Sequence, residues 1–200
     1  MSADMSGQDR AVWLKARPHL DVRNNDEHTL QAYWLARALL DSHPGAREDI
    51  VLPAILFHDV GWKRVPQDQM FLAFGPNATR PDLVRLHETE GAAIARAELT
   101  GLGLPLDEIA GIIDGHDTRK AALSTEDAIV KDADKVWRFT PHGIAIMAGW
   151  FDWTLEHTIA VQIGHSLPQL LTEPGRAMAR AFIATGQATA ATPELMRARS

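Results

Sequence analysis

Apolar residues recur at intervals of three and four along most of this 200-residue chain, with polar residues between them. In the stretch NNDEHTLQAYWLARALLDSHPG, for example, Leu30, Trp34, Leu35 and Ala38 recur at helical spacing. Asn and Asp residues open this stretch and His-Pro-Gly closes it, which is typical of the two ends of a helix. The pattern therefore predicts an amphipathic α-helix here.

The same spacing predicts further helices, separated by short breaks that contain glycine or proline. They lie in REDIVLPAILFHDVGW, TRPDLVRLHETEGAAIARAELTGLG, LPLDEIAGIIDGH, STEDAIVKDADKVWRF, the stretch from about Pro141 to His157, and SLPQLLTEPGRAMARAFIATG, which gives one or two helices. Pro53 fits best in the first turn of its helix, where a missing N–H costs nothing. Ser124 and Asp127 form a capping pair at the start of theirs.

Strands are not expected, because alternation with period two is nearly absent and β-branched residues are few. No internal repeat or low-complexity linker divides the chain. We therefore predict an all-α fold, with one compact domain over residues 1–200. The segments at about 140–186 are expected to pack as C-terminal helices, and residues 187–200 to form a loose tail or a short helix.

Composition narrows the range of functions. The net charge of -6 argues against binding to nucleic-acid polymers or membrane surfaces, which both need a cationic surface. It leaves room for a small anionic substrate held by a local cluster of metal and arginine. Since the chain has no cysteine, any metal site must use imidazole and carboxylate ligands. The polar N-terminus lacks a signal-peptide pattern and the apolar runs are short, so we expect a cytoplasmic protein.

Two His-Asp dipeptides are candidates for a metal site, His58–Asp59 in LFHDVGW and His116–Asp117 in DGHDTRK. An oxygen- and nitrogen-ligand site in a helical protein draws its side chains from several helices that converge. Around the first dipeptide, successive predicted helices each offer one more candidate: His28, His87, His116 and Asp134.

The first dipeptide also has the better setting. The apolar run VLPAILF precedes it and implies burial, which is costly for a His-Asp pair without compensation. For His116–Asp117 a closing aspartate would be needed several helices later, and no aspartate follows Asp152. We therefore expect His116 to join the site as a single ligand and interpret Asp117 as a neighbour.

The segments NNDEHTLQ, AILFHDVGW, HETEGAAIA, GHD and IVKDADKVW, over about residues 23–138, resemble the HD-domain superfamily of metal-dependent phosphohydrolases. The resemblance implies an HD-domain-like helical bundle with His28, His58, Asp59 and Asp134 on one ion. We prefer Asp134 to Asp132 because it stands in DADKVW, as the closing aspartate of the family does.

The two additional histidines imply a two-metal variant of the family. In that arrangement His87 and His116 hold a second ion, and Asp59 bridges the pair. The residue types suit one or two divalent ions of Mn, Fe, Co, Ni or Zn without ranking them.

The resemblance implies hydrolysis of a phosphomonoester or phosphodiester of a small molecule, including nucleotides. Asp59 is the central catalytic candidate, and Lys63 and Arg64 are candidates for binding phosphate, although a solvated helix end explains them equally well. Other cleft candidates are Arg23, Arg119, Lys120, Glu88 as a partner of a ligand histidine, and Trp62 as a cover for a base.

Two other functions share the same sequence features. Some relatives with these six ligands are diiron oxygenases that cleave a C–C or C–P bond of a small polyol or phosphonate. The third hypothesis is a non-catalytic sensor that binds a nucleotide in a degenerate site. The presence of all six ligand candidates argues against such degeneration. The sequence leaves the substrate, the native metal and homo-oligomer formation open.

Overall fold

The computed structural model describes residues 4–75 and 78–197, and these residues contain helices without strands. Nine α-helices carry the fold: α1 (Gly7–Ala16), α2 (Asn25–Leu40), α3 (Glu48–Phe57), α4 (Pro81–Leu99), α5 (Leu106–Ile113), α6 (Thr125–Trp137), α7 (Pro141–Phe151), α8 (Leu155–His165) and α9 (Glu173–Arg197). Short 3-10 segments lie at Arg17–His19, Val60–Arg64, Gln67–Leu72 and Leu167–Gln169. The all-α prediction is confirmed for these residues.

The centre of the fold is α3, whose residues from Ile50 to Phe57 are all buried. Its apolar run packs between α2, α5 and α6, and α4 packs on α5. A helix that is apolar on every face is stable only when neighbouring helices cover all of its faces, because this burial removes its apolar surface from water. The C-terminal end of α3 is thereby held deep in the protein, and His58 directly follows it.

A close backbone contact joins the segment after α3 to α4. A Cβ on Gly61 would collide with the backbone carbonyl oxygen of His87 and would lie 2.6 Å from the amide nitrogen of Gly91. Only glycine permits this approach. The contact brings the turn that carries Asp59 next to the helix that carries His87.

Several predicted helix boundaries are confirmed. The side chain of Ser124 accepts a hydrogen bond from the amide of Asp127, as the capping pair predicted. Pro81 occupies the first turn of α4, and Gly101 and Gly103 follow its end with positive φ.

Three expectations differ from the structure. Pro53 lies inside α3 rather than in its first turn, because the helix already begins at Glu48. The stretch from Pro141 to His157 is divided into α7 and α8 by a break at Asp152, whose φ is 54°. Residues 187–197 continue α9 instead of forming the loose tail or separate short helix expected, and residues 198–200 lie outside the described part.

Candidate metal centre

Side chains from five neighbouring segments meet at one buried point between the helices. His28 lies in the first turn of α2, His58 and Asp59 follow α3, and His87 lies in α4. His116 lies in the turn after α5, and Asp134 lies in α6. All six predicted ligands are buried: His28, His58, Asp59, His87, His116 and Asp134.

One set of donor atoms forms around His28 and His58. Their Nε2 atoms are 3.0 Å apart, and Asp134 Oδ1 lies 3.4 Å from His28 Nε2 and 3.8 Å from His58 Nε2. Asp59 Oδ2 lies 3.5 and 3.6 Å from the same two nitrogens. Donors that share one ion at about 2.1 Å lie roughly 3 to 4 Å apart, so these distances are compatible with a metal site. His28, His58 and Asp134 form one of the groups that could hold an ion.

A second set forms on the other side of Asp59. His87 Nε2 and His116 Nε2 are 3.4 Å apart, and Asp59 Oδ1 lies 3.8 and 3.7 Å from them. The two oxygens of Asp59 therefore face different pairs of histidines. A carboxylate that bridges two metal ions must direct one oxygen at each ion, and this arrangement would allow it.

Asp117 belongs to this second set. Its Oδ2 atom lies 3.7 Å from His87 Nε2 and 3.8 Å from His116 Nε2. His87, His116 and Asp117 form one of the groups of residues that could hold a metal ion. The sequence analysis interpreted Asp117 only as a neighbour of His116 and missed this position. The His116–Asp117 dipeptide was the signal that could have identified it.

Backbone carbonyls orient two of the histidines. His58 Nδ1 lies 2.7 Å from the carbonyl oxygen of Ile55, and His116 Nδ1 lies 2.9 Å from that of Ile113. Each Nδ1–H can donate to its carbonyl, which leaves the Nε2 lone pair directed at the cluster. This is the arrangement that metal-binding histidines use.

Two cations contact the outer edge of the cluster. Lys135 Nζ lies 3.6 Å from Asp134 Oδ2, and Arg138 Nη2 lies 3.4 Å from the same oxygen. On Asp117 the same two side chains approach Oδ1, at 3.9 and 3.8 Å. On both carboxylates one oxygen thus faces the histidines and the other faces the cations.

The electrostatics of the cluster favour negative carboxylates beside a positive charge. Burial opposes ionisation of Asp59 and Asp134, but the facing histidines and, for Asp134, Arg138 and Lys135 hold both pKa values well below the usual range. Burial, with the neighbouring His116, lowers the pKa of His87 to about 4. His116 is equally desolvated, but Asp117 and Asp59 outweigh this effect and raise its pKa to about 9.

Opposite charges hold the turn that carries His116 and Asp117. The buried carboxylate of Glu88 accepts hydrogen bonds from the amides of Asp117 and Thr118, both at 2.8 Å. From the other side, Lys131 Nζ donates to the carbonyl oxygens of Gly115, His116 and Arg119 at 2.7 to 2.8 Å. Glu88 therefore positions this turn through its backbone amides, whereas a contact to a ligand histidine was only one of the roles that the sequence left open.

Other sequence candidates lie away from the cluster. Lys63 donates to Asp21 at 2.6 Å, and exposed Arg64 does not line the cavity described below. Arg119 donates to Asp127 and to backbone carbonyls, and Lys120 is exposed. The structure thus places Lys63 and Arg64, the predicted phosphate ligands, outside the site.

The choice between the two aspartates of α6 follows from their contacts. The carboxylate of Asp132 accepts from the amides of Leu171 and Thr172, before the start of α9. Asp134, half a turn further along, faces His28 and His58. The preference for Asp134 as the residue near the cluster thus agrees with the geometry.

A cavity of about 740 Å³ opens at the cluster and is lined by His28, Asp59, Asp117 and Asp134. Arg23 and Arg138 line it too, together with the amide side chain of Asn25. Arg23 has a left-handed backbone with φ 55°, and its guanidinium lies 4.0 Å from the ring centre of Phe74 and 4.6 Å from that of Trp62. Trp62 itself stacks on His87 and donates from Nε1 to Asp59.

Arg23 and Asn25 carry polar atoms without protein partners. Arg23 Nε and Nη1 and Asn25 Nδ2 are shielded from solvent and find no hydrogen-bond acceptor among the described residues. Leaving such donors unpaired is costly, so they are suited to a ligand with anionic oxygens.

These features define a helical protein with a buried imidazole–carboxylate centre at the base of a cavity, a site typical of metal-dependent enzymes. A scan of family models matched the HD domain over residues 25–138, more than half of the chain. The chain therefore belongs to the HD-domain family, whose members are generally metal-dependent hydrolases. The match confirms the resemblance noted in the sequence. Searches of curated proteins and of solved structures gave no match.

Proposed function

We propose that this protein is a two-metal phosphohydrolase acting on a phosphomonoester or phosphodiester of a small molecule. The observation that carries the proposal is the division of Asp59, whose two oxygens face separate histidine pairs at the base of a cavity. His28, His58, Asp59 and Asp134 would hold one ion. His87, His116, Asp59 and Asp117 would hold the other.

The donor set fits divalent Mn, Fe, Co, Ni or Zn. It offers four imidazoles and three carboxylates without thiolate, a mixture that these ions accept. The two Nδ1 contacts to backbone carbonyls direct Nε2 of His58 and His116 at the cluster. Because the pKa of His116 is raised to about 9, this side chain would release its Nε2 proton on binding an ion. Ions bound here would supply a water of lowered pKa and neutralise charge on phosphoryl oxygens.

The surrounding residues fit the binding of a phosphate group. Arg23 and Arg138 line the same cavity as the cluster, and a planar guanidinium can donate two hydrogen bonds to one phosphate. The unpaired Nδ2 atom of Asn25 adds a neutral donor. These three residues replace Lys63 and Arg64 in the proposed binding of substrate.

The first experiment separates hydrolysis from oxygen chemistry. Protein freed of metal and reloaded with Mn²⁺ or Fe²⁺ is expected to release inorganic phosphate from phosphomonoesters equally with and without O₂. A phosphate assay measures hydrolysis, and an oxygen electrode measures the consumption of O₂. A reaction that requires O₂ and consumes it with substrate would contradict the hydrolase and support a diiron oxygenase.

A second experiment tests the charged residues that hold the turn after α5. Lys131→Met is expected to weaken the second ion by about 10- to 100-fold, because removal of partners that orient ligands has this effect. Metal content after dialysis at graded metal concentrations measures both ions. The ion at His28 and His58 should be retained as in the unmodified protein.

Lys120→Met provides the matched control, since Lys120 is exposed and lies close in sequence to the same turn. It should leave both affinities unchanged. If Lys131→Met weakens both ions equally, or neither, the residue does not position the second set of ligands.

A further inference from the structure

Six tryptophan and phenylalanine side chains line the cavity next to the metal centre. Four of the six tryptophans of the chain line it, with two phenylalanines: Trp62, Trp137, Trp150, Trp153, Phe74 and Phe151. Trp62 and Phe74 also belong to a small apolar cluster beside the cavity, separate from the aliphatic core of α3, α4 and α5.

The rings form a continuous path that starts at a candidate metal ligand. The ring centre of Trp137 lies 4.4 Å from that of His28, and Trp150 follows at 6.4 Å. Phe74 lies 5.7 Å from Trp150, and Phe151 lies 6.3 Å from Phe74. A molecule that extends from the metal centre along this path would contact one ring after another.

The end of the path is a stacked pair. Phe151 and Trp153 lie 4.6 Å apart with 26° between their planes. Both residues are only partly buried, so they have surface left for a ligand. Planar rings placed in this way bind other planar, apolar groups.

Charge is confined to the end of the cavity near the metal centre. The carboxylates among its described lining residues are Asp59, Asp117 and Asp134, which all belong to the cluster. Arg23 lies against the aromatic wall as well, 5.1 Å from the ring centre of Trp150. A substrate that fits has an anionic group at one end and an apolar body at the other.

The other polar side chains that line the cavity come from one stretch of the chain. His157, Gln162 and His165 come from α8, and Gln169 follows it. A body covered with hydroxyl groups would leave those facing the aromatic side without partners, which is costly in a buried site. An aromatic body avoids this cost.

We propose that the substrate is a phosphomonoester of an apolar alcohol that carries an aromatic ring system. This inference rests on the proposed phosphohydrolase function and adds the chemical class of the alcohol. The phosphate would lie at Arg23, Arg138 and the ions, and the ring system would lie along Trp150, Phe151 and Trp153. The cavity of about 740 Å³ is large enough for such a molecule.

The test compares alcohols of similar leaving ability on the manganese-loaded protein. We expect kcat/KM for 2-(2-naphthyl)ethyl phosphate to exceed that for ethyl phosphate and glycerol 3-phosphate by about tenfold or more, since aromatic contacts add to area burial. Trp153→Ala should remove this preference, and Trp153→Phe should retain most of it. Trp34→Ala is the control, because Trp34 lies on α2 outside the cavity lining.

Binding is measured separately from turnover. Calorimetry of 2-(2-naphthyl)ethylphosphonate and ethylphosphonate should show the same preference and the same effect of the Trp153 variants. If phosphate esters are hydrolysed without preference for the aromatic body, or with preference for a nucleoside monophosphate, this inference is overturned while the hydrolase stands. If no ester is hydrolysed but the aromatic phosphonate binds tighter, the phosphohydrolase fails and the aromatic subsite is supported.

Discussion

Asp59→Asn is expected to lose both metal ions and nearly all activity. The substitution preserves the shape of the side chain but removes the negative charge that faces both histidine pairs. Because bound ions contribute several kcal/mol of transition-state stabilisation, we expect kcat to fall by about three orders of magnitude or more. Elemental analysis of the purified protein and phosphate release measure the two effects.

The structure supplies a control for this substitution. Asp68 is exposed and lies in the 3-10 segment Gln67–Leu72, outside the cavity lining. Asp68→Asn makes the same chemical change and should leave metal content and activity unaltered. Full metal content in Asp59→Asn would show that the shared carboxylate is not a ligand.

Gly61→Ala is expected to destabilise the protein strongly and to disturb the second ion. The added methyl group would occupy the position of the His87 carbonyl oxygen, and a backbone atom cannot move aside as a side chain can. Overpacking of this kind costs about 1 to 3 kcal/mol and occasionally more, which lowers the melting temperature by several degrees. A backbone movement that relieves this collision by separating Gly61 from α4 would also separate Asp59 from His87.

Thermal denaturation and metal content together check this expectation. Gly149→Ala is the matched control, because Gly149 lies within α7 and a Cβ there would meet no atom within 4 Å. It should be neutral or stabilising by up to about 1 kcal/mol. If Gly61→Ala has the melting temperature and metal content of the unmodified protein, the close contact does not limit the structure.

Much of the helical framework could be predicted from the sequence, because periodicity and caps are local signals. The order of His28, His58, Asp59, His87 and Asp134 along successive helices also indicated which residues would meet. Helices that pack against one another can each direct one side chain at the same point, so one residue from each helix is enough to form a shared centre. The geometry of the five side chains agrees with that expectation.

Contacts from distant segments decide the positions of several charged side chains, which is why the sequence did not predict them. Asp117 enters the cluster because Glu88 and Lys131 hold its turn, and contacts from two other helices are invisible in a local pattern. Lys63 is directed to Asp21, from a segment far earlier in the chain. Arg23, which the sequence offered as a candidate for the cleft, does line the cavity, but its position depends on a left-handed backbone and on three aromatic rings from distant segments. Non-local pairing of this kind decides where long charged side chains point.

The distribution of the donors along the chain has a consequence for folding. No short fragment of the protein contains either complete set, since the first requires residues from α2, α3 and α6 together. Ions that bind only the assembled centre shift the equilibrium toward the native state, by about 4 kcal/mol at a thousandfold excess over Kd. If ions bind as proposed, the apparent stability of the helical core would depend on metal concentration, and removal of the ions would act like removal of a crosslink between helices.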